Sequence, residues 1–509
     1  MTAHSRGPTP TLPFRDPLDR VLSMLLASPI RASLALAVVA FIVFLPAVDC
    51  DFVNWDDDAY VSENPLIQQG LSWTGIRRAF THVVFHNWAP LTVLSYMLDA
   101  TLFGMRPAGF HLTNVILHSL TTFTVCLALC RMTGSVGRSL AVTALFALHP
   151  LRVESVAWVA ERKDVLSMFF VGLSLLAYDR SCQRPSAQRL SVVTAAMLGS
   201  LLCKSMAVTL PGLLLLLDVW PLGRIDVGQP RDTPRASPAR YPRVSARHAL
   251  LEKLPLVLLS LVFAFFTIVA QRHAISGQES VPILTRRLPN ALYAFNWYLF
   301  TTAWPVDLHP AHMLFGVSRS PWLVVACSAG LLAACAAAIL AVRRCPAVTV
   351  GLLWFTAALV PVIGVVQAGF QSYADRFTYL PHIGLFLAVV WGGMEILLRW
   401  PARPWLPTVV LTIALVACVS VDRRQIAVWR NSETLWTHVL AIDPDNSFAC
   451  NNLAVTLAES GRSDEAIAYL KKAIRQLPHE NQLQMNLEKI ENGLRGAAGD
   501  GRRAIPPRP

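Results

Sequence analysis

The sequence predicts an all-α polytopic membrane protein with about 11 transmembrane helices and a short helical-repeat domain at its C-terminal end. Hydrophobic residues make up 54% of the 509 residues and charged residues only 15%, against about 25% charged residues in a typical soluble chain. The charge-poor stretches recur along most of the chain, and from residue 422 the composition becomes that of a soluble helical segment. This composition excludes a disordered protein and an ordinary soluble enzyme.

The membrane domain is predicted to cover residues 32–421, after a cytoplasmic N-terminal segment at 1–31. The first apolar run, 32–48, follows several Arg residues as a signal peptide does. No small-residue cleavage site comes after it, so we predict an uncleaved span. The further apolar runs lie near 112–130, 139–151, 165–178, 190–203, 205–218, 254–271, 321–342, 347–366, 383–398 and 405–421. Several middle runs are shorter than the roughly 18–20 residues of a full span.

The distribution of basic residues predicts the orientation. With a cytoplasmic N-terminus, Lys and Arg are more than twice as dense in the inner segments as in the outer ones, in agreement with the positive-inside rule. The segment 219–253 is then a cytoplasmic loop, whereas 49–111 and 272–321 are outer loops, the second of them interfacial. An odd number of spans places the C-terminal segment outside. The net charge of +12 is mostly a topology signal, and no nucleic-acid partner is predicted.

Residues 422–496 are predicted to form an outward-facing domain of tetratricopeptide (TPR) type. Small and apolar residues fall at the spacing of one repeat of roughly 34 residues: Leu453, Ala454, Leu457, Gly461, Ala466, Leu470, Ala473 and Pro478. The second half of the pattern occurs one repeat earlier, at Ser432, Trp436, Val439 and Pro444. A generic helical hairpin is the alternative. One and a half repeats are too few for a long peptide groove, and the end, 497–509, is predicted to be disordered.

Three adjacent carboxylates lie near the start of the first outer loop, in the run Trp55-Asp56-Asp57-Asp58. Mutual repulsion of these acids predicts a raised pKa for at least one of them, which suits a general base working near neutral pH. The same acids could instead hold a divalent cation through oxygen ligands. A solvated acidic turn is the third interpretation.

A second charged group lies between two apolar runs at the predicted outer edge of the membrane. It begins with His149 and Glu154 and ends with Arg162, Lys163 and Asp164. Ionisable side chains at this depth are costly unless they line a polar cavity or reach the headgroup layer. Snorkelling side chains with internal ion pairs are the alternative to a functional cavity.

Two further basic residues lie on the same predicted side. Lys204 stands alone between two apolar runs, where a cation is often the ligand of an anion. Arg376 is a similar case, although Asp375 could neutralise it. Cations and carboxylates at one face suit a lipid-linked phosphate donor, since the cations would hold the phosphate and a carboxylate would deprotonate an attacking hydroxyl. No Cys or His cluster has metal-site spacing, so no metal centre is predicted.

Together these motifs resemble the transmembrane-and-TPR protein O-mannosyltransferases, members of the GT-C superfamily of polyprenyl-phosphate-sugar-dependent glycosyltransferases. The resemblance covers residues 49–480. It rests on Trp55-Asp56-Asp57, Asn64-Pro65, Phe110 through Asn114, His149-Pro150 through Glu154 to Asp164, Lys204-Ser205-Met206 and Ala374-Asp375-Arg376. The order and spacing of these segments are more specific than any one of them.

The resemblance implies a GT-C-like membrane domain and an inverting transfer of a mannose-like sugar. The catalytic base implied is Asp56 or Asp57, because an acidic residue of the first outer loop has this proposed role in GT-C enzymes. The donor-phosphate ligands implied are Lys204, Arg376, Arg162 and Lys163, and the cavity-shaping residues implied are His149, Glu154, Asp164 and Asp375. The donor implied is a polyprenyl-phosphate sugar, and the acceptor implied is a Ser or Thr hydroxyl of an exported protein. No cofactor is firmly implied.

Two features separate this chain from many members of that family. It has one clear repeat where others carry many, so acceptor recognition by a long superhelix is not expected. It contains no Asn-x-Ser/Thr sequon, which favours a bacterial source. We therefore expect a multi-pass protein of the bacterial inner membrane with its TPR tail in the periplasm.

Two other functions fit the same sequence. One is a membrane-anchored scaffold without catalysis, in which the repeats recruit a protein partner and the carboxylates are dispensable. The other is a transferase that uses the same donor but acts on a lipid or polysaccharide acceptor.

Overall fold

The structure is a computed structural model that describes residues 28–84, 87–226, 240–275, 286–312, 320–365, 371–397, 403 and 405–499. Within these ranges the chain is helical, and its only bridge of β type is an isolated one between Val84 and Asn87. The all-α prediction is confirmed. The expectations for residues 1–27 and 500–509, and for parts of the segments 219–253 and 272–321, lie outside the described residues.

Fourteen helices of eight or more residues precede the repeat domain in the described ranges. Numbered in chain order, they are α1 Pro29–Phe44, α2 Trp73–Thr81, α3 Pro90–Phe103, α4 Pro107–Thr133, α5 Val136–Ala147, α6 Arg162–Gln183, α7 Ala187–Leu201, α8 Leu210–Val219, α9 Ala246–Ile275, α10 Leu288–Ala303, α11 Pro321–Ala341, α12 Pro346–Leu359, α13 Pro381–Leu397 and α14 Leu406–Val428. Every predicted apolar run coincides with one of them, while α2, α3 and α10 lie in predicted outer loops.

Six helical segments in the described ranges are long and apolar enough to cross a membrane. They are Pro29–Asp49, Pro107–Thr133, Val159–Gln183, Ala246–Ala270, Pro321–Ala341 and Leu406–Val428. A seventh would be Val136–Ala147 together with Pro150–Ala157, which are bent by 60°. Other apolar helices, such as α12 and α13, are shorter. A total of about 11 spans therefore requires the shorter helices to cross as well.

The predicted outer and inner segments gather at opposite ends of the helices. Near the starts of α4 and α6, Arg162 Nε donates to Asn114 Oδ1 over 2.7 Å. Near their ends, Arg131 pairs with Asp179 at 2.8 Å. The rise of an α-helix separates the two contacts by about 25 Å, close to the thickness of a hydrocarbon core. Which end faces outward stays a prediction.

Helices α12 and α13 approach closely at two glycines. A Cβ on Gly351 would lie 2.4 Å from the carbonyl oxygen of Gly384. A Cβ on Gly384 would lie 2.5 Å from Cβ of Trp354. Small residues of this kind let helices pack backbone against backbone, where apolar burial alone gives little driving force inside lipid.

Four helices form the repeat domain: α15 Ser432–Ile442, α16 Ser447–Glu459, α17 Ser463–Gln476 and α18 Asn481–Gly499. Helices α16 and α17 are the hairpin of the predicted repeat, and Gly461 makes the turn at φ 81°. The side chains that define the repeat are buried between the helices: Leu453, Ala454, Leu457, Ala466, Leu470 and Ala473. Helix α14 runs past residue 422, where we predicted the repeat domain to begin, and leads directly into α15.

Candidate active site

Asp57 is a buried anchor of the first outer loop. Its Oδ2 accepts a hydrogen bond of 3.0 Å from the backbone N–H of Val53. Its Oδ1 accepts one of 2.7 Å from the backbone N–H of Ala160, at the start of the second charged segment. The side chain is fully buried. Because both oxygens bind backbone donors, this carboxylate joins two loops and is not presented to a substrate.

Asp56, the neighbouring acid, has the opposite environment. It is partly exposed, and its backbone has a φ of 65°, which is uncommon for a residue with a side chain. In the described ranges no protein group donates a hydrogen bond to its carboxylate. Burial raises the pKa of Asp56 above its ordinary value, and the positive charge of Lys163 opposes that rise. Repulsion by Asp58, which we expected to be the main cause, makes only a minor contribution.

Glu161 is the centre of the charged cluster beside Asp56. Its Oε1 lies 3.1 Å from Lys163 Nζ and 3.2 Å from Arg376 Nε, and its Oε2 lies 3.0 Å from Lys204 Nζ. The carboxylate therefore holds together cations from three separate chain segments. A buried charge requires such partners, and here one anion is shared by three cations.

Two lysines of this cluster remain partly open. Lys204 Nζ also pairs with Asp164 at 2.7 Å, and Asp164 Oδ2 accepts a hydrogen bond of 3.2 Å from Ser155 Oγ. The side chains of Lys163 and Lys204 are 12% and 15% exposed. An ammonium group has three donors, and the described carboxylates pair with Lys163 once and with Lys204 twice. Among the described residues, each lysine therefore keeps at least one N–H for an incoming anion.

Glu154 binds both the backbone and the side chain of Arg376. The backbone N–H of Arg376 donates to Glu154 Oε2 over 2.8 Å, and its guanidinium pairs with Oε1 of the same carboxylate. The guanidinium also lies over the rings of Trp158 and Phe377, at 5.3 and 5.0 Å from their centroids. Glu154 therefore orients Arg376 and fixes the loop that carries it.

Asp375 does not neutralise Arg376, which was one interpretation of the sequence. The guanidinium of Arg376 pairs with Glu154 and Glu161 instead. Asp375 is buried, and its Oδ1 has no hydrogen-bond partner in the described part of the chain. Burial raises the pKa of Asp375 well above its ordinary value, and the nearby charge of Glu154 adds to that rise.

Arg162 lies apart from this cluster, although the resemblance implied a phosphate ligand. Its Nη1 pairs with Asp99 at 2.5 Å, its Nε donates to Asn114, and its Nη2 donates to the carbonyl of Phe110 over 2.7 Å. The side chain is fully buried. Arg162 therefore joins α3, α4 and α6 and presents no free face to the charged cluster.

His149 belongs to a separate buried network. Its Nε2 lies 2.9 Å from the carbonyl oxygen of Thr302 and must donate to it, so Nδ1 accepts from the N–H of Leu151 at 3.3 Å. The Thr302 hydroxyl contacts His382 Nε2 at 2.9 Å, and Arg152 reaches His382 Nδ1 at 3.1 Å. These contacts place His149 among neighbouring helices and outside the Glu161 cluster.

The described residues contain no group of three or more His, Cys, Asp and Glu side chains arranged to hold a metal ion. The rings of His309 and His312 are tilted by 41° with centroids 3.9 Å apart, and the ring of His312 is tilted by 32° to that of Tyr373.

The role of Glu161 could not be derived from the sequence. It lies in the second charged segment, directly before Arg162 and Lys163, and two cations from distant segments, Lys204 and Arg376, meet on it only in the folded chain. Tyr60 was missed as well, and its ring lies 4.8 Å from Lys163 Nζ. The signal available for both was their position in a predicted outer loop beside other ionisable residues.

In chemical terms, the described part of the site contains the Asp56 carboxylate, which accepts no hydrogen bond from the described groups, and a cluster with two partly exposed ammonium groups and a guanidinium held by carboxylates. The Asp56 carboxylate can accept a proton, and the ammonium groups of Lys163 and Lys204 can bind an anion. These features define an all-helical, multi-pass membrane protein with a charged site beside its TPR-type repeats.

The comparisons with known proteins agree with this class. The chain is 26% identical to Protein O-mannosyl-transferase TMTC4 of Homo sapiens, in an alignment that covers 89% of this chain and 67% of the human protein. It is 25% identical to Protein O-mannosyl-transferase TMTC1 of Homo sapiens over 90% of this chain and 57% of that protein. It is 26% identical to Protein O-mannosyl-transferase Tmtc1 of Drosophila melanogaster over 88% of this chain and 62% of the relative.

The chain is thus a homologue of the TMTC proteins, and the resemblance noted in the sequence is confirmed. It spans about two thirds or less of the length of these relatives. No protein-family model and no solved structure matches it.

Proposed function

We propose that this protein is a membrane glycosyltransferase that moves a mannose-like sugar from a polyprenyl-phosphate carrier to a hydroxyl of an exported protein, a Ser or Thr side chain. The observation that carries the proposal is the partly exposed Asp56 carboxylate, which accepts no hydrogen bond from the described protein groups and feels the positive charges of Lys163 and Arg376. The names of the relatives, which are protein O-mannosyl-transferases, support the reaction class.

The proposed transfer is a single displacement with inversion at the anomeric carbon. The acceptor oxygen forms a bond to that carbon while its proton passes to the Asp56 carboxylate. The bond between the anomeric carbon and the carrier phosphate breaks, and the electron pair leaves with the phosphate oxygen. Lys163 and Lys204 stabilise the charge that builds on the phosphate. Arg376, held by Glu154 and Glu161, adds a fixed positive charge.

The proposed location is the inner membrane of a bacterium, with the cluster and the repeats on the periplasmic side. An undecaprenyl-phosphate sugar would then be the donor. Asp57 is assigned an anchoring role in this mechanism, because both of its carboxylate oxygens accept from backbone N–H groups.

The test is mass spectrometry of glycopeptides from the exported fraction of four strains. They carry the wild-type chain, no chain, Asp56→Asn or Asp58→Asn. Asparagine suits the left-handed backbone at position 56, so Asp56→Asn should keep wild-type abundance and lose the hexose mass from Ser/Thr peptides, as the deletion does. Asp58→Asn, the matched control, should keep the modification.

Three results would oppose the proposal. Full modification with Asp56→Asn would remove Asp56 from the mechanism. An unchanged glycoproteome in the deletion strain would move the function to a lipid or polysaccharide acceptor. Rescue of every deletion phenotype by Asp56→Asn would favour a scaffold that acts through its repeats.

A further inference from the structure

The repeat domain forms direct hydrogen bonds with the loop that carries Asp56. All hydrogen-bonding groups of the Asn54 side chain are used there. Its Nδ2 donates to the carbonyl of Asn452 at 3.0 Å and to Thr456 Oγ1 at 3.1 Å, and its Oδ1 accepts from Trp436 Nε1 at 2.6 Å. Its backbone N–H donates to Ser432 Oγ at 2.9 Å. The orientation of the amide is fixed, because an indole nitrogen can only donate.

Trp55, the next residue, is packed between the repeats and the membrane domain. Its ring centroid lies 4.8 Å from that of Phe448 and 5.1 Å from that of Trp436, both in the repeats. Its carbonyl accepts a hydrogen bond of 2.7 Å from Trp158 Nε1, on the membrane side. The residue before Asp56 is therefore held from two directions.

The backbone of Asp56 itself needs such support. A non-glycine residue at φ 65° is uncommon, and it keeps that conformation where its surroundings determine it. The residues on either side of Asp56 are the fixed ones: Asn54 and Trp55 by the repeats, and Asp57 by Val53 and Ala160. General packing between domains would not require four directional hydrogen bonds at one asparagine.

We propose that Asn54 is a positioning residue through which the repeat domain holds Asp56 in its reactive conformation. This rests on the proposed function of Asp56 as the base. The repeats thereby act as a structural part of the catalytic site, in addition to any contact with an acceptor. Displacement of a catalytic group by about 1 Å can reduce a rate by about a hundredfold, so the loss of this clamp should be visible in kcat.

The experiment uses the full chain and two readouts, the transfer kinetics and the hydrogen exchange of the backbone in residues 50–64. Asn54→Ala removes the amide, and Trp436→Phe removes the indole N–H together with part of the ring while it keeps an aromatic side chain. Arg462→Gln is the matched control, because it breaks the 2.5 and 2.7 Å pairs with Glu433 and Glu465 in the same repeats without touching Asn54.

Both test variants should show faster backbone hydrogen exchange in residues 50–64, and their kcat should fall by about ten- to a hundredfold. The KM for the donor should change by less than about twofold, because Lys163 and Lys204 lie outside this loop. The control should behave as wild type in both readouts.

Two results would overturn the inference while the proposed function stands. The first is wild-type exchange of residues 50–64 in an active Asn54→Ala variant, and the second is faster exchange with an unchanged kcat. Absence of transfer by the wild-type chain is a different failure, because it would refute the proposed function and the catalytic part of this inference together.

Discussion

Asp56 and Asp57 are adjacent acids with different environments in the structure. Asp56 has a left-handed backbone conformation, and the backbone N–H groups of Val53 and Ala160 donate to Asp57. Asp56 is left with a raised pKa and no hydrogen-bond donor from the described protein groups. A carboxylate of this kind is a stronger base than an ordinary aspartate, which is the property that proton abstraction requires.

The first prediction at this scale concerns pH. The base works only when it is deprotonated, so the transfer rate should rise as pH increases through the raised pKa of Asp56. Lys163→Gln removes a positive charge that lowers this pKa, and the acidic limb of the rate profile should therefore move to higher pH. Initial rates at saturating donor, measured over a pH series, test the shift.

Lys471→Gln is the control for that series, because Lys471 is 60% exposed and lies in the repeats. Lys471→Gln should leave the acidic limb of the rate profile at the same pH as in the wild type. A Lys163→Gln profile with an unchanged limb, or one shifted to lower pH, would contradict the assignment of the limb to Asp56.

The sequence identified the candidate residues but could not show which partners each of them contacts. It placed both acids, Lys163, Lys204 and Arg376 at one membrane edge, because charge in an apolar sequence is conspicuous. It could not show that Arg162 pairs with Asp99. That choice depends on which face of α6 each side chain takes, and several apolar and polar neighbours fit either face.

At the scale of helices, α12 and α13 show how shorter apolar segments are held in place. Their glycines remove the side chains that would separate the backbones, and the Gly351 and Gly384 backbones meet as a result. Such contacts replace the apolar driving force that is missing inside a bilayer.

Gly384→Ala should destabilise the protein by about 1–3 kcal/mol, because the new Cβ would overlap Trp354 Cβ and the Gly351 carbonyl, neither of which can move freely. Thermal unfolding in detergent measures this as a lower Tm. Gly393→Ala is the control on the same helix, where a Cβ meets no atom within 4 Å. Equal Tm values for the two variants would show that the helices do not pack through Gly384.

The apolar runs were correctly predicted to be helices, but their lengths could not decide which of them cross. A run of 14 residues such as α12 satisfies its own backbone hydrogen bonds as a helix whether it spans the membrane or stops within it. The bend of 60° between α5 and Pro150–Ala157 could not be derived from composition either, since the two segments together are long and apolar enough for one span.

At the scale of the whole molecule, the predicted sidedness gives a sharp test. The Asp56 loop and the repeats are hydrogen-bonded to each other, so they must lie on the same side of the membrane. The turn between α6 and α7 should lie on the opposite side. Cysteines placed at Glu63 and Asp464 should both react with a membrane-impermeant maleimide on intact cells. A cysteine at Ser186 should react only after the cells are opened.

Labelling of the Ser186 position in intact cells, with Glu63 and Asp464 protected, would reverse the predicted orientation. Labelling of Glu63 without Asp464 would contradict the interface between the loop and the repeats.

The junction between α14 and α15 limits how this protein can be divided. Only Trp429, Arg430 and Asn431 separate the two helices, and the carbonyl of Leu308 in the outer loop accepts hydrogen bonds from Gln425 and from His438. A gene truncated after the last membrane helix would leave Trp55 and Trp158 without their partners Trp436 and Trp429, and it would remove the His438 donor to the Leu308 carbonyl. The two parts are therefore expected to be inherited, expressed and engineered as one unit. A chimaera that joins foreign repeats to this membrane domain would need to keep the repeat residues that contact Asn54.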